Sequence, residues 1–328
     1  CGRSDAMLGI MPETASAGAR PTILLDCDPG HDDAIAIVVA ARHTELVGIT
    51  TVAGNAPLTS TTHNALVMRD LLGIEVPIHS GAARPLVGEP KFAGHVHGQS
   101  GLDGADLPNP STPLDGTDAV NFIIDTCRST QDLWLVPIGP LTNIALALRT
   151  APDIAHRIAG ISLMGGGTFG NRSSTAEFNI WADPEAAHVV FSSGVRIVMA
   201  GLDVTHQFTA TPDRIAAIRS TGGLLGTTLA DLLTFFSAKY GELHDDGALI
   251  GGAIHDPLAV MALSHPHLFE RVARHVVVET RGEHTRGMTV IDQRKVTERQ
   301  TPNCDMLTSV DAPAAFDVAL EAITHFTG

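Results

Sequence analysis

Thr22-Ile23-Leu24-Leu25-Asp26-Cys27-Asp28-Pro29-Gly30-His31-Asp32-Asp33-Ala34-Ile35-Ala36-Ile37-Val38-Val39 is the stretch from which the fold can be read. Its apolar opening predicts a buried strand over Thr22 to Cys27. Pro29-Gly30 turns the chain, and Asp32 to His43 then predicts a helix that begins with acidic residues, as the helix dipole favours. A second buried strand over Leu46 to Val52 completes a βαβ unit. The same alternation continues outward. Further strands are predicted at Glu75 to His79, Leu133 to Ile138, Gly160 to Met164, Val195 to Gly201 and Arg274 to Glu279. Helices are predicted at Pro57 to Leu72, Thr117 to Ser129, Leu141 to Thr150, Pro184 to Ser193, Leu224 to Tyr240 and Pro257 to Leu263. The expected architecture is α/β: a single-domain, open, mostly parallel sheet flanked by helices, with a Rossmann-like core. No linker or charge block divides the chain, so residues 21–328 are read as one domain and residues 1–20 as a loose tail. Ala82 to Pro113 and Leu243 to His255 lack periodicity, and loops of that length in a compact domain usually serve function.

Composition excludes several roles. The 36 acidic and 21 basic side chains leave a formal charge of −15, which argues against nucleic acid or an anionic membrane as partner. No apolar run reaches the ~18 residues of a membrane helix. Cys1, Cys27, Cys127 and Cys304 form no CxxC pair or framework spacing, so reduced thiols in a cytoplasmic protein are expected. Residues 1–20 have neither the basic nor the apolar region of a signal peptide.

Four carboxylates within eight residues, Asp26, Asp28, Asp32 and Asp33, fall where the first strand meets the first helix. Open α/β sheets place their ligands at that edge. Strand alternation sends Asp26 and Asp28 to one side, and Asp32 and Asp33 enter the helix's first turn. The plainer reading is that Asp32 caps the helix while the others stay solvated. The mutual repulsion of four carboxylates in a cleft favours a hard divalent cation instead, and oxygen-only donors favour Ca²⁺ or Mg²⁺ over zinc. His95 and His97 lack the partners of a zinc site.

Asp26-Cys27-Asp28-Pro29-Gly30-His31-Asp32-Asp33-Ala34 resembles the N-terminal signature of the inosine-uridine-preferring nucleoside hydrolases, the calcium-dependent nucleoside N-ribohydrolases. Further matches follow in family order. They are Thr51-Val52-Ala53-Gly54-Asn55, His97-Gly98 with Ser100-Gly101-Leu102-Asp103-Gly104, and Val136-Pro137-Ile138-Gly139-Pro140-Leu141-Thr142-Asn143. Leu163-Met164-Gly165-Gly166-Gly167, Ala176-Glu177-Phe178-Asn179, Asp183-Pro184-Glu185-Ala186-Ala187 and His255-Asp256-Pro257 complete the set.

The resemblance implies hydrolysis of the N-glycosidic bond of ribonucleosides through a ribosyl cation-like state. It implies Ca²⁺ held by the carboxylates of Asp28, Asp33 and Asp256 and the main-chain carbonyl of Ile138. Asp28, meeting metal and water together, is the expected general base. Asp32, Asn55, Asn171, Glu177 and Asn179 would bind the ribose, Met164 would pack beneath it, and Asp26 would orient its neighbours. His97 would line the base pocket, and His255 would activate the leaving base, with Tyr240 and His244 also within reach of it. A homodimer or homotetramer is implied.

Two other readings compete. Asp26-x-Asp28 after a first strand also resembles the opening of haloacid-dehalogenase-type phosphatases, but Lys91, Lys239 and Lys295, the only lysines, do not stand where that chemistry needs one. A nucleoside-binding protein without turnover would keep the same cage. Neither composition nor spacing separates purine from pyrimidine substrates.

Overall fold

A computed structural model describes residues 20–243, 251–296 and 299–328. The expected tail therefore lies outside the described residues apart from Arg20, and so do His244 and the loop around it. The strands are β1 (Thr22–Cys27), β2 (Glu45–Thr51), β3 (Ile78–Ser80), β4 (Trp134–Pro137), β5 (Gly160–Met164), β6 (Ile197–Ala200), β7 (Phe269–Arg274), β8 (Val276–Val278), β9 (Thr289–Ile291) and β10 (Cys304–Val310). The helices are α1 (His31–His43), α2 (Leu58–Leu72), α3 (Gly94–His97), α4 (Ala119–Ser129), α5 (Thr142–Thr150), α6 (Phe178–Ala182), α7 (Pro184–Phe191), α8 (Leu202–Thr205), α9 (Pro212–Ser220), α10 (Gly223–Leu243), α11 (Pro257–Ser264) and α12 (Ala312–Thr327).

Eight strands form one sheet in the order β3-β2-β1-β4-β5-β6-β10-β7. β1 pairs in parallel with β2 on one side, setting Asp26 opposite Thr50, and with β4 on the other, setting Asp26 opposite Pro137. Chain order thus runs outward from β1 to β3 and resumes on the other side at β4. The crevice beyond the carboxyl ends of β1 and β4 is the switch point at which such sheets bind ligands.

Strand alternation explains the two-sided core. Ile23 and Leu25 face a cluster that includes the buried flanks of α1, α10, α11 and α12. Leu24 faces the opposite cluster with Ile123, Ile144 and Val190 from α4, α5 and α7. Burial on both faces is why these strands read as continuous apolar runs.

The C-terminal third departs from expectation. The strand expected at Arg274 to Glu279 is the short β8, which pairs with β9 in a separate two-stranded sheet rather than joining the main one. The main sheet instead gains β10, parallel to β6, and the antiparallel edge strand β7. β7 reads Phe-Glu-Arg-Val-Ala-Arg with only partial burial. An edge strand guarded by charges lacks the apolar run used to find strands. Among the described residues no helix is long and apolar enough to cross a membrane.

Candidate active site

The floor of the site is built at the junction of β1 and α1. Asp33, in the first turn of α1, accepts the N–H of Asp28 at 3.2 Å and of Gly30 at 2.9 Å, which holds the Asp28-Pro29-Gly30 turn against the helix. Asn55, beyond β2, donates its N–H to Asp28 Oδ2 at 2.7 Å. Its side-chain amide donates to the Asp28 carbonyl at 3.1 Å and to Asp33 Oδ2 at 3.0 Å. Any Cβ at Gly54 or Gly139 would run into the Asp28 carboxylate, so these two positions accept only glycine. Beneath them, Asp26 accepts from Thr50 Oγ1 at 2.6 Å and Asn143 Nδ2 at 2.8 Å. Burial, partly offset by those two bonds, lifts the Asp26 carboxyl to about 7.

Asp256 reaches the same floor from the start of α11. One carboxylate oxygen from each of Asp32, Asp33 and Asp256 lies within 4.8 Å of the others, and all three residues are buried. Asp28 adjoins this group through Asp33, and its Oδ1 is buried with no hydrogen-bond partner among the described residues. Burial raises all four carboxyls above the ordinary range, Asp32 to about 7. Neighbouring charge adds to burial at Asp28 and Asp32, chiefly from Asp33, and at Asp256, chiefly from Asp32. Burying four carboxylates together costs more than these hydrogen bonds return unless a cation joins them. An unpartnered oxygen among hard donors is what a divalent metal ion would fill. The Ile138 carbonyl, at the end of β4, accepts from Asn179 Nδ2 at 2.9 Å and keeps a second lone pair.

A cleft of about 690 Å³, counting its open mouth, rises from this floor. Asp32, Asn55, Ile138 and Asp256 line its base; Asp28 and Asp33 stand behind them, both bonded to Asn55. Met164, Asn171, Glu177 and Asn179 form one wall. Glu177 caps α6, accepting the N–H groups of Asn179 at 2.8 Å, Ile180 at 3.1 Å and Gly166 at 3.0 Å. Asn171 Oδ1 accepts the N–H of Phe178 at 3.0 Å. Asn179 Nδ2 also lies 3.3 Å from Met164 Sδ, which sets the thioether against the floor.

His97, Tyr240, His255 and Phe236 also line the cleft. His255 is strung between Thr205 Oγ1, 2.7 Å from Nδ1, and the Tyr240 hydroxyl, 3.0 Å from Nε2. Its backbone N–H donates to Asp32 Oδ2 at 3.2 Å, which ties His255 to the carboxylate group. Burial pushes the His97 imidazole well below its ordinary range.

Three contributors escaped the sequence reading. Thr205 sits in a four-residue helix with no motif, and Phe236 is one of several apolar residues of α10. His31 lies inside the acidic signature, yet its role appears only once His97 folds against it.

Oxygen donors gathered in one cleft with imidazoles and aromatic rings suit a metal-assisted hydrolase. Its substrate would pair a hydroxyl-bearing part with a heteroaromatic part. The comparisons name that class. A family model described as inosine-uridine preferring nucleoside hydrolase matches residues 23–317. The chain is 43% identical over 312 residues to the pyrimidine-specific ribonucleoside hydrolase RihA of Salmonella typhimurium, covering 93% of this chain and 98% of that one. Its Escherichia coli counterpart is 42% identical over 311 residues, with the same shares covered. Among solved structures, the purine-preferring ribonucleoside hydrolase from Gardnerella vaginalis superposes with a TM-score of 0.86 at 34% identity, covering 93% of this chain and 99% of that one. An inosine-guanosine nucleoside hydrolase gives 0.83 at 27% identity, covering 94% and 99%.

The chain belongs to the inosine-uridine preferring nucleoside hydrolase family. It is a nucleoside hydrolase that cleaves the N-glycosidic bond of ribonucleosides. Neither the phosphatase alternative nor turnover-free binding finds support among these relatives.

Proposed function

We propose that this enzyme is a Ca²⁺-dependent hydrolase of pyrimidine ribonucleosides that releases ribose and free base. The observation that carries the metal reading is the buried carboxylate group with its unpartnered Asp28 Oδ1. The pyrimidine preference is supported by the relatives at 42–43% identity, which span nearly the whole of both chains.

Asp28, Asp33, Asp256 and the Ile138 carbonyl would hold the ion, with Asp32 alongside. When bound, the cation supplies Lewis acidity toward water and the ribose hydroxyls. Asp28 is the general base. Asn55 pins its Oδ2, and the carboxylate takes the proton as water adds to the anomeric carbon. Asp32, Asn55 and the Asn171, Glu177 and Asn179 wall hold the sugar hydroxyls, and Met164 supports the ring from below. As the C–N bond breaks, its electron pair stays on the base. His255, backed by Thr205 and joined to Tyr240, supplies the proton that neutralises the base; His97 lines its pocket. The catalytic unit is residues 21–328. A reducing cytoplasmic setting suits Cys27, Cys127 and Cys304, which are buried free thiols. A homodimer or homotetramer follows from the family resemblance.

Measurement of kcat/KM for uridine, cytidine, inosine and adenosine tests the substrate reading. The pyrimidine nucleosides are expected to lead by at least about tenfold, roughly what differences in pocket contacts supply. Equal or higher values for the purine nucleosides contradict it.

A further inference from the structure

His31 stands in the middle of the acidic signature, yet the mechanism above does not use it. Its ring is fully buried and stacks on Phe235, Phe236 and His97, with centroids 5.5, 5.4 and 5.2 Å away. Each of its nitrogens has a polar partner. Nε2 lies 2.8 Å from the main-chain carbonyl of Asp103, and Nδ1 lies 3.0 Å from His97 Nδ1.

These two contacts fix where the protons sit. A carbonyl only accepts, so His31 Nε2 carries the hydrogen. The ring packs among other rings and has no carboxylate within hydrogen-bond reach among the described residues, so it holds a single hydrogen and leaves Nδ1 bare. One hydrogen must lie between the two Nδ1 atoms, and it therefore belongs to His97. The His31 backbone N–H lies 3.4 Å from the same His97 nitrogen; a protonated Nδ1 cannot accept it, so in this tautomer that longer contact is given up in exchange for the two shorter ring contacts. His97 Nε2 is left without a hydrogen, and it makes no hydrogen bond among the described residues.

The anchor of this relay is rigid. The Asp103 carboxylate accepts the N–H groups of Gln99 at 3.0 Å and Ser100 at 3.1 Å, which fixes the loop that presents the Asp103 carbonyl. A Cβ at Gly30 would come within 2.6 Å of His97 Nδ1, so the imidazole seats directly on the signature turn. Since His97 lines the cleft with its Nδ1 edge held inward, the bare Nε2 edge is the part left for a ligand.

We infer that His31 is a positioning residue that relays the Asp103 carbonyl to His97 and makes His97 a fixed hydrogen-bond acceptor, so that the pocket selects bases presenting an N–H to it. Uridine offers such a group at N3 and cytidine at its exocyclic amine, whereas 3-methyluridine offers none. The inference rests on the reading of His97 as a wall of the base pocket.

Two measurements test it. In the first, ¹⁵N–¹H correlation NMR of the imidazoles in the full-length wild-type protein, with the His97 signals assigned by loss in His97→Gln, is expected to show a protonated Nδ1 and a bare Nε2. A protonated His97 Nε2 overturns the relay, and this readout requires no His31 variant to fold. In the second, wild type is expected to favour uridine over 3-methyluridine by about tenfold or more in kcat/KM. His31→Phe, which keeps the ring stack but cannot relay, is expected to shrink that ratio below about threefold, and His97→Gln is expected to retain part of it. An unchanged ratio in His31→Phe overturns the proposal. If His97→Phe leaves the KM for uridine unchanged, the base-pocket reading fails and takes the selection with it, even where NMR finds the expected tautomer.

Discussion

The two ends of the cleft are built from different materials. The end proposed to hold the sugar is a set of carboxylates at the ends of regular elements, Asp28 after β1, Asp32 and Asp33 in the first turn of α1 and Asp256 at the start of α11. Backbone amides and Asn55 fix their oxygens. The end proposed to take the base consists of rings, His97, His255, Tyr240 and Phe236, drawn from a four-residue helix, a long helix and the segment before α11. The first end concentrates carboxylates that a cation would neutralise; the second gathers imidazoles and a phenol that can hold or pass hydrogens. The same division separates what any ribonucleoside shares, its sugar, from what distinguishes one from another, its base.

Substitution should separate the two ends sharply. Asp28→Ala removes the proposed general base and a proposed metal ligand. It is expected to lower kcat by about 10³-fold or more on uridine and on 4-nitrophenyl riboside alike, measured as ribose or nitrophenolate release. Near-normal turnover in this variant would remove Asp28 from both roles. His255→Ala acts at the other end. It is expected to cost about 10²-fold on uridine, yet less than about threefold on 4-nitrophenyl riboside, whose leaving group departs without a proton. Equal losses on the two substrates would break the division of labour.

That division also explains how much could be read in advance. Asp28, Asp32 and Asp33 sit within six residues at a strand-to-helix junction, so local periodicity alone places them at a ligand-binding edge. Asp256 and Ile138 are far away in sequence and enter only through the family resemblance. The parallel core was legible because its strands are buried on both faces. The C-terminal strands were not, because charges interrupt β7, and β10, with the sequence Cys-Asp-Met-Leu-Thr-Ser-Val, mixes polar with apolar residues. α12 carried a signal that went unread, since Asp311 caps it by accepting the N–H of Ala314 at 3.2 Å and Pro313 follows. The link from His31 to Asp103 spans 72 residues and joins a side chain to a main-chain carbonyl, so residue types give no hint of it.

A smaller effect sharpens the contrast in stability. Burial, followed by the Asp33 charge, raises the Asp32 carboxyl from 3.8 to about 7. Between those values the unfolded chain is ionised at this position while the folded chain keeps its proton. Metal-free protein therefore loses stability as pH rises from about 4 to about 7, and the loss levels off above that. In chelator at pH 8, Asp32→Asn is expected to raise Tm by at least ~2 °C while lowering turnover with Ca²⁺ restored. A lower Tm for the variant under those conditions would mean that the carboxylate group is not under electrostatic stress.

Ribose release from uridine by chelator-treated enzyme, before and after Ca²⁺ is returned, tests the central claim most directly. The expected result is loss of nearly all turnover on chelation and its recovery with Ca²⁺. Undiminished ribose release from protein shown by elemental analysis to be metal-free would contradict it.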